Sequence, residues 1–298
     1  METPLVTIVV VSYNHAKYIV ENLNSIKAQT YTNIELIVAD DASNDNSIEV
    51  FDNWLDVNNY SAKKNYHTQN TGLATILNEC IDNAAGKYIK LIAADDYLHP
   101  ESIEKCVNKL EEVGDEFGMV FTDTYSIDDN SKILDDIADY NSLGNVDPQI
   151  FRKELIKGNR IAALTVLMRL EVVKETGKYD AKYIIEDYYR WLKINEKYLI
   201  AYIPNKLAYY RLHELNISKL KSDRIKEEDI FIKMLFDKYG VAKDVINNYF
   251  YTCYKNNIKI KKELLENYVN YPYASKKLNI LFKFKIPYTF YNKISRFI

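Results

Sequence analysis

Two pairs of neighbouring aspartates are the first candidates for chemistry in this sequence. Asp40-Asp41 and Asp95-Asp96 each follow an apolar run, where a charged pair contributes little to a core. At the end of a strand, such carboxylates can reach a ligand that lies across the edge of a sheet. A turn or a helix N-cap is the alternative role for each one, because Asp favours both.

The chain around these pairs alternates strand and helix patterns. Apolar runs at residues 5–11, 34–38, 88–93 and 119–121 are typical of buried strands. Repeated β-α units predict an α/β fold with a mostly parallel sheet and helices on both faces. Ligands of such sheets bind outside the carboxyl ends of the strands, where both acidic pairs are predicted to lie.

Helical spacing is clearest over residues 73–81, where apolar side chains recur every three or four positions. Gly86 is the predicted C-cap of that helix. Pro100 is predicted in the first turn of the next helix, which would turn Ile103, Val107 and Leu110 inward.

The composition excludes several classes of protein. The chain has 298 residues, 47% hydrophobic and 27% charged, which is far from the composition of disordered chains. No glycines are spaced as GxGxxG or GxxxxGK, which excludes Rossmann dehydrogenases and P-loop kinases. The three scattered cysteines predict neither a disulfide framework nor a zinc-cysteine site. Without a secretory pattern or an apolar run of about 18 residues, the sequence predicts a cytoplasmic protein.

Charge is unevenly distributed. The net charge is −3, yet residues 255–298 contain ten Lys or Arg and two Glu, so the remainder is acidic and no nucleic-acid partner is predicted. Residues 271–298 have six Lys or Arg, no acids and many aromatics. This tail has two interpretations: an anchor on an anionic membrane surface, or a terminal helix whose aromatics pack on the protein.

Six short motifs follow one another in an order that resembles one enzyme family. They are Val11-Ser12-Tyr13-Asn14, Asp40-Asp41-Ala42-Ser43, Asn70-Thr71-Gly72, Asp95-Asp96-Tyr97, Glu186-Asp187-Tyr188 and Tyr210-Arg211-Leu212-His213. Over about two thirds of its length the chain resembles the family 2 inverting glycosyltransferases of the GT-A fold. The resemblance implies a GT-A catalytic domain over residues 1–213 and a helical C-terminal extension over 214–298.

The family moves a sugar, here of hexosyl or N-acetylhexosaminyl type, from a nucleotide diphosphate to an acceptor hydroxyl with inversion. By resemblance, Tyr13 would stack on the base and Asp41 would accept a hydrogen bond from a uracil N–H, which implies a UDP-sugar. Core packing is the alternative for Tyr13. Asp96, Glu186 and Arg211 are also expected at the donor, although Asp96 could instead cap the helix near Pro100.

Asp95 and His213 match the family's metal ligands and would hold Mn²⁺ or Mg²⁺ against the diphosphate. The chain departs from the family at Ala93 and Ala94, where relatives often carry an acid. That departure leaves open a non-catalytic nucleotide-sugar-binding or scaffold protein of the same fold.

Asp187 matches the general base that deprotonates the acceptor hydroxyl. The alternative is that Glu186 and Asp187 only favour the N-terminus of the helix that follows. His15, His67 and His99 show no metal-site spacing and receive no role. The implied acceptor is a saccharide or lipid-linked saccharide of polysaccharide or glycoconjugate synthesis, which would place a membrane-anchored form on the inner face of the plasma membrane.

Overall fold

The computed structural model of the protein describes residues 3–135, 145–214, 216 and 222–294. The chain divides into two compact units, one of Met1–Arg152 with Arg160–Leu220 and the other of Lys153–Asn159 with Lys221–Ile298. The segment 153–159 thus joins the second unit, although it precedes the boundary predicted after residue 213. Its Leu155 and Ile156 are buried in a 3₁₀ turn that contacts the first helix of that unit.

Eight strands form one sheet within the described residues of the first unit. Their bounds are β1 Val6–Ser12, β2 Ile34–Asp40, β3 Lys63–Tyr66, β4 Tyr88–Ala93, β5 Tyr97–Leu98, β6 Phe117–Ile127, β7 Leu167–Arg169 and β8 Leu199–Arg211. The strand order is β3-β2-β1-β4-β7-β6-β8-β5. The half built from β3, β2, β1 and β4 is parallel, and so is the β6-β8 pair, whereas β7 and β5 run antiparallel to their neighbours.

Helices connect and cover the strands. Those that begin in the first unit are α1 Ala16–Lys27, α2 Ser47–Asn58, α3 Leu73–Asn83, α4 Ser102–Val113, α5 Pro148–Glu154, α6 Leu170–Glu175 and α7 Glu186–Lys197. The second unit contains α8 Ser222–Phe236, α9 Lys243–Lys255, α10 Lys262–Asn270, α11 Lys276–Lys283 and α12 Tyr288–Ile294. None of the helices described has the length and apolarity that crossing a bilayer requires.

The predicted amphipathic faces are buried. Helix α4 buries Ile103, Val107 and Leu110, as predicted, and β1 is buried along its whole length. Because helices cover both faces of the parallel half, its central strands are mostly apolar rather than alternating, with Thr7, Glu35 and Lys90 as exceptions.

The strand register sets the position of the functional edge. In the parallel β1-β2 pair Ser12 lies opposite Asp40, and in the β1-β4 pair Val11 lies opposite Ala93. The carboxyl ends of three strands therefore meet, and the loops that follow them leave from one edge of the sheet.

Two local predictions were wrong. Helix α3 ends before Gly86, with Ala84 at its C-cap. Gly86 is needed for close approach instead, because a Cβ there would lie 2.6 Å from the backbone nitrogen of Thr7. Pro100 precedes helix α4 rather than lying in its first turn, since that helix has Glu101 at its N-cap.

The second unit has its own core. The rings of Phe250 and Tyr268 stack with centroids 3.8 Å apart. The buried carboxylate of Asp237 accepts hydrogen bonds from the backbone N–H of Val241 at 2.9 Å and of Ala242 at 2.9 Å. These bonds fix the connection between α8 and α9.

Candidate functional site

The loop after β1 presents Tyr13 at the carboxyl edge of the sheet. The Tyr13 side chain is exposed, with 44% of its surface accessible, which excludes the core-packing alternative. Asn14 follows with a left-handed φ of 60°. This turn is held by the loop after β2: the Asn14 N–H donates to Ser43 Oγ at 2.8 Å, and the Asn44 N–H donates to Asn14 Oδ1 at 2.7 Å.

His15 comes next and joins Asp95 and His213 in a three-residue cluster. One ligand atom from each residue lies within 4.8 Å of the other two. Asp95 Oδ2 is 2.9 Å from His213 Nε2 and 3.7 Å from His15 Nε2. The His213 ring also stacks on Tyr18 of α1, with centroids 5.7 Å apart. The sheet thus brings together residues from three loops that are far apart in the sequence.

Electrostatics keep the Asp95 carboxylate ionised. Burial alone would raise the pKa of Asp95, but the hydrogen bond with His213 and the nearby His15 and His213 imidazoles hold it below its usual value. Asp95 Oδ1 and His15 Nδ1 are buried and have no hydrogen-bond partner among the described residues. Two imidazoles and a carboxylate, with unpartnered atoms on His15 and Asp95, fit a transition-metal ion such as Mn²⁺. Asp95 and His213 are the two metal ligands expected from the sequence, and the structure places His15 beside them.

Asp41 is buried just beyond β2, beneath the loop that opens helix α3. Its Oδ1 accepts from the Thr71 N–H at 2.8 Å and lies 2.9 Å from His67 Nδ1, while its Oδ2 accepts from the Gly72 N–H at 2.8 Å. Burial would raise the pKa of Asp41, but these hydrogen bonds lower it. Asp41 is therefore an ionised and fixed acceptor.

Asp96 faces the protein rather than the edge. Its Oδ1 accepts from the backbone N–H of Arg211 at 2.8 Å. Burial and the charge of Asp95 raise the pKa of Asp96 well above its usual value, and the Arg211 contacts only partly oppose this. Asp96 is not the N-cap of helix α4, so its predicted capping role was wrong.

Arg211 is also turned inward. Its guanidinium Nε donates to the Asp95 carbonyl at 2.7 Å, its Nη1 donates to the Asp128 carbonyl and to Ser131 Oγ, each at 3.0 Å, and its Nη2 pairs with Glu21. Arg211 was expected at the donor. Its contacts instead tie the end of β8 to α1 and to the segment that carries Asp95.

Glu186 and Asp187 form the first turn of helix α7. The N-cap residue Ile185 provides no side-chain cap. The negative charges of Glu186 and Asp187 in this turn interact favourably with the positive end of the helix dipole. The loop leading to them is anchored on α3, because Asn78 Nδ2 donates to the Tyr179 carbonyl at 3.0 Å and the Tyr179 N–H donates to Asn78 Oδ1 at 2.7 Å. Neither acid belongs to the His15-Asp95-His213 cluster.

Comparison with known proteins identifies the family. Residues 7–173, more than half of the chain, match the model of glycosyl transferase family 2. The chain belongs to this family. This glycosyltransferase is 28% identical over 267 residues to an uncharacterized glycosyltransferase of Haemophilus influenzae, an alignment that covers 88% of the chain and all of that relative. Two Rickettsia glycosyltransferases are each 31% identical, but the chain spans only 31% and 37% of their length.

Solved structures agree on the fold. Residues 1–349 of S. aureus TarS in complex with UDP-GlcNAc superpose with a TM-score of 0.67 at 16% identity, over 93% of this chain and 83% of that one. The mannosyltransferase PcManGT of Pyrobaculum calidifontis, in complex with GDP-Man and Mn²⁺, gives 0.61 at 17% identity, over 92% and 73%. These likenesses confirm the predicted GT-A fold of the glycosyltransferase.

Proposed function

We propose that this glycosyltransferase is an inverting, metal-dependent enzyme that uses a UDP-sugar. One observation carries the proposal: a single edge of the sheet presents an exposed aromatic ring at Tyr13, a fixed carboxylate at Asp41, and the His15-Asp95-His213 cluster. A nucleotide diphosphate needs a stacking surface, a base-reading acceptor and a counter-charge, and this edge offers all three.

Tyr13 and Asp41 are the residues proposed to hold the base. Asp41 Oδ2 accepts a single hydrogen bond from the described residues, that of Gly72, so it can accept another from a uracil N–H. The TarS neighbour with bound UDP-GlcNAc supports a UDP-linked hexose or N-acetylhexosamine as donor.

Asp95, His213 and His15 would hold the metal. Imidazole nitrogens suit Mn²⁺ better than Mg²⁺, which prefers an all-oxygen shell, and PcManGT was solved with Mn²⁺. When bound, such an ion neutralises the charge that develops on the diphosphate leaving group. One ligand atom of each side chain lies within 4.8 Å of the other two, which supports a shared ion.

Asp187 is the proposed general base, with Glu186 beside the donor sugar. In the transfer, the acceptor oxygen forms a bond to the anomeric carbon, and the bond from that carbon to the diphosphate oxygen breaks. The hydroxyl proton passes to the Asp187 carboxylate. Attack from the face opposite the leaving group inverts the anomeric configuration.

Residues 1–213 are proposed as the catalytic domain and 214–298 as a helical extension whose tail, residues 271–298, meets an anionic membrane surface. In the tail, Leu278 and Leu281 are buried, whereas Ile280, Phe284 and Phe290 are 53%, 66% and 56% exposed. Exposed Lys276, Lys277, Lys283 and Lys285 lie on the same segment. Exposed aromatic and basic residues together suit a lipid headgroup surface, which supports a lipid-linked saccharide acceptor.

Calorimetric titration of UDP and UDP-GlcNAc, with and without Mn²⁺, tests the proposal. We expect Mn²⁺ to tighten UDP binding in the wild type and in the control Asp56→Ala, whose side chain is exposed on α2, and to have no effect in Asp95→Ala. NMR of the sugar released by slow donor hydrolysis should first show the β-anomer from an α-linked donor. Binding of no nucleotide by the wild type would overturn the proposal and favour the scaffold alternative.

A further inference from the structure

His67 lies between two carboxylates. Its Nδ1 is 2.9 Å from Asp41 Oδ1 and its Nε2 is 2.6 Å from Glu79 Oε2. The ring is largely buried, with 11% of its side chain exposed, and Glu79 is steadied by Asn65 Nδ2, which donates to its Oε2 at 3.0 Å. A continuous chain of contacts therefore runs from the proposed base-reading carboxylate to the surface of helix α3.

This geometry selects one protonation form of the imidazole. Each ring nitrogen faces a carboxylate oxygen, so only the imidazolium can donate to both. A neutral ring would leave one of the two carboxylates without its donor, and among the residues that the structure describes only Nδ1 has another neighbour, Thr71 Oγ1 at 3.0 Å. Burial would lower the pKa of His67, but hydrogen bonds and charges from Glu79 and Asp41 raise it above its usual value. Those two acids are the charged groups that act on the ring.

The contact also determines which oxygen of Asp41 is open. His67 and the Thr71 N–H both engage Oδ1, whereas Oδ2 faces the Gly72 N–H at 2.8 Å. With Oδ1 held on two sides, the carboxylate cannot rotate freely. Oδ2 is the atom left to accept a hydrogen bond from a ligand.

We propose that His67, as an imidazolium retained by Glu79, is a positioning residue that holds Asp41 to read the ring N–H of uracil. This inference rests on the proposed function, in which Asp41 reads the base. Uracil has a ring N–H between two carbonyl groups, whereas cytosine has a lone pair at the same position. A fixed carboxylate therefore selects UDP over CDP, and freeing the carboxylate should reduce that selection.

The test is the affinity for UDP-glucose, a donor whose phosphates stay fully ionised, measured by calorimetry between about pH 6 and 9. In the wild type, affinity should fall as the pH rises through the raised pKa of His67. In Glu79→Gln a neutral ring protonated on Nδ1 can donate to Asp41 and accept from the glutamine amide, so the ratio of the wild-type affinity to the variant affinity should fall as the pH rises. Taking this ratio at each pH removes every pH effect that the two proteins share.

Two further variants complete the design. His67→Ala should weaken UDP-glucose binding about tenfold and reduce the preference for UDP over CDP. A tenfold loss of affinity lies within the range expected when one buried hydrogen-bond acceptor is misplaced. His99→Asn, a matched control beside the exposed Glu101, should behave as the wild type. Imidazole ¹⁵N NMR of the free protein should show His67 protonated on both nitrogens at pH 7, whether or not the alanine variant folds.

The two proposals fail in different ways. If Asp41→Asn abolishes binding but Glu79→Gln and His67→Ala keep the wild-type affinity and pH profile, the role of His67 is wrong and the proposed function stands. A neutral His67 at pH 7 would overturn the role equally. If the wild type binds no UDP compound, the proposed function fails and the inference fails with it.

Discussion

Replacing Arg211 by Met should destabilise the protein and weaken its metal site together. The guanidinium is buried, with 1% of its side chain exposed, and lies 4.7 Å from the centroid of the Tyr18 ring. It donates to two backbone carbonyls, including that of Asp95, and pairs with Glu21. Methionine keeps most of the stem and removes every donor, so the carbonyls of Asp95 and Asp128 lose their bonds to Arg211.

The magnitude follows from these contacts. A hydrogen bond involving a charged group contributes about 1.5–3 kcal/mol, and breaking a buried ionic network costs about 3–5 kcal/mol. Glu21 is 40% exposed, so water recovers part of its solvation and the lower end of that range applies. A loss of about 3 kcal/mol corresponds to a fall in Tm of roughly 5 °C for a chain of 298 residues. Glu21→Gln, which still accepts a hydrogen bond, should cost less than about 1 kcal/mol.

Differential scanning calorimetry and Mn²⁺ titration measure the two effects. Arg211→Met should lower both Tm and Mn²⁺ affinity, because the Arg211 Nε–H fixes the backbone of Asp95, a proposed metal ligand. The opposite pattern, an unchanged Tm with a large loss of UDP affinity in the absence of metal, would show that Arg211 contacts the donor diphosphate. That result would refute the positioning role.

Three other outcomes are expected. Asp187→Asn should slow donor hydrolysis and transfer about 10²–10⁴-fold while calorimetry shows unchanged UDP affinity, because an amide cannot take the acceptor proton; lost affinity would contradict the base role. Gly86→Ala should lose about 1–3 kcal/mol in urea denaturation, since a Cβ would crowd the Thr7 backbone, whereas Gly158→Ala, with nothing within 4 Å, should not. Ile280→Ser with Phe284→Ser should reduce sedimentation with anionic liposomes, and Val57→Ser, exposed on α2, should not; equal sedimentation would exclude the tail as an anchor.

The strands that the sequence analysis found are those buried on both faces. β1, β2 and β4 are mostly apolar because helices cover them, with Glu35 and Lys90 as the charged residues inside β2 and β4, and that pattern is visible locally. β3, with the sequence Lys-Lys-Asn-Tyr, lies at the end of the sheet order, where exposed polar side chains are tolerated. β8 was missed because Pro204, Asn205 and Lys206 interrupt its apolar pattern, although the strand continues through them alongside β6.

Residues of the candidate site could be predicted from the sequence only where they belong to a motif of the family. Asp95 and His213 are 118 positions apart, so their contact follows from the fold and not from spacing, and the family resemblance was the only signal for it. His15 and His67 received no role because their partners come from other loops and from helix α3. The only local sign of a role for His15 was its position directly after the motif residues Tyr13-Asn14. His67 had no such neighbouring motif.

The two ends of the site differ in whether their buried polar atoms have hydrogen-bond partners within the protein. At the base end, Asp41 has its carboxylate held by backbone donors and by His67, so its geometry is complete without a ligand. At the metal end, Asp95 Oδ1 and His15 Nδ1 are buried without hydrogen-bond partners in the described residues, an arrangement that costs free energy until a ligand engages them. A pre-formed acceptor can reject the wrong base before the chemistry begins. Under the proposed function, an incomplete metal end gains most from a ligand that brings both the cation and the diphosphate, so the arrangement should favour the loaded donor over either component alone.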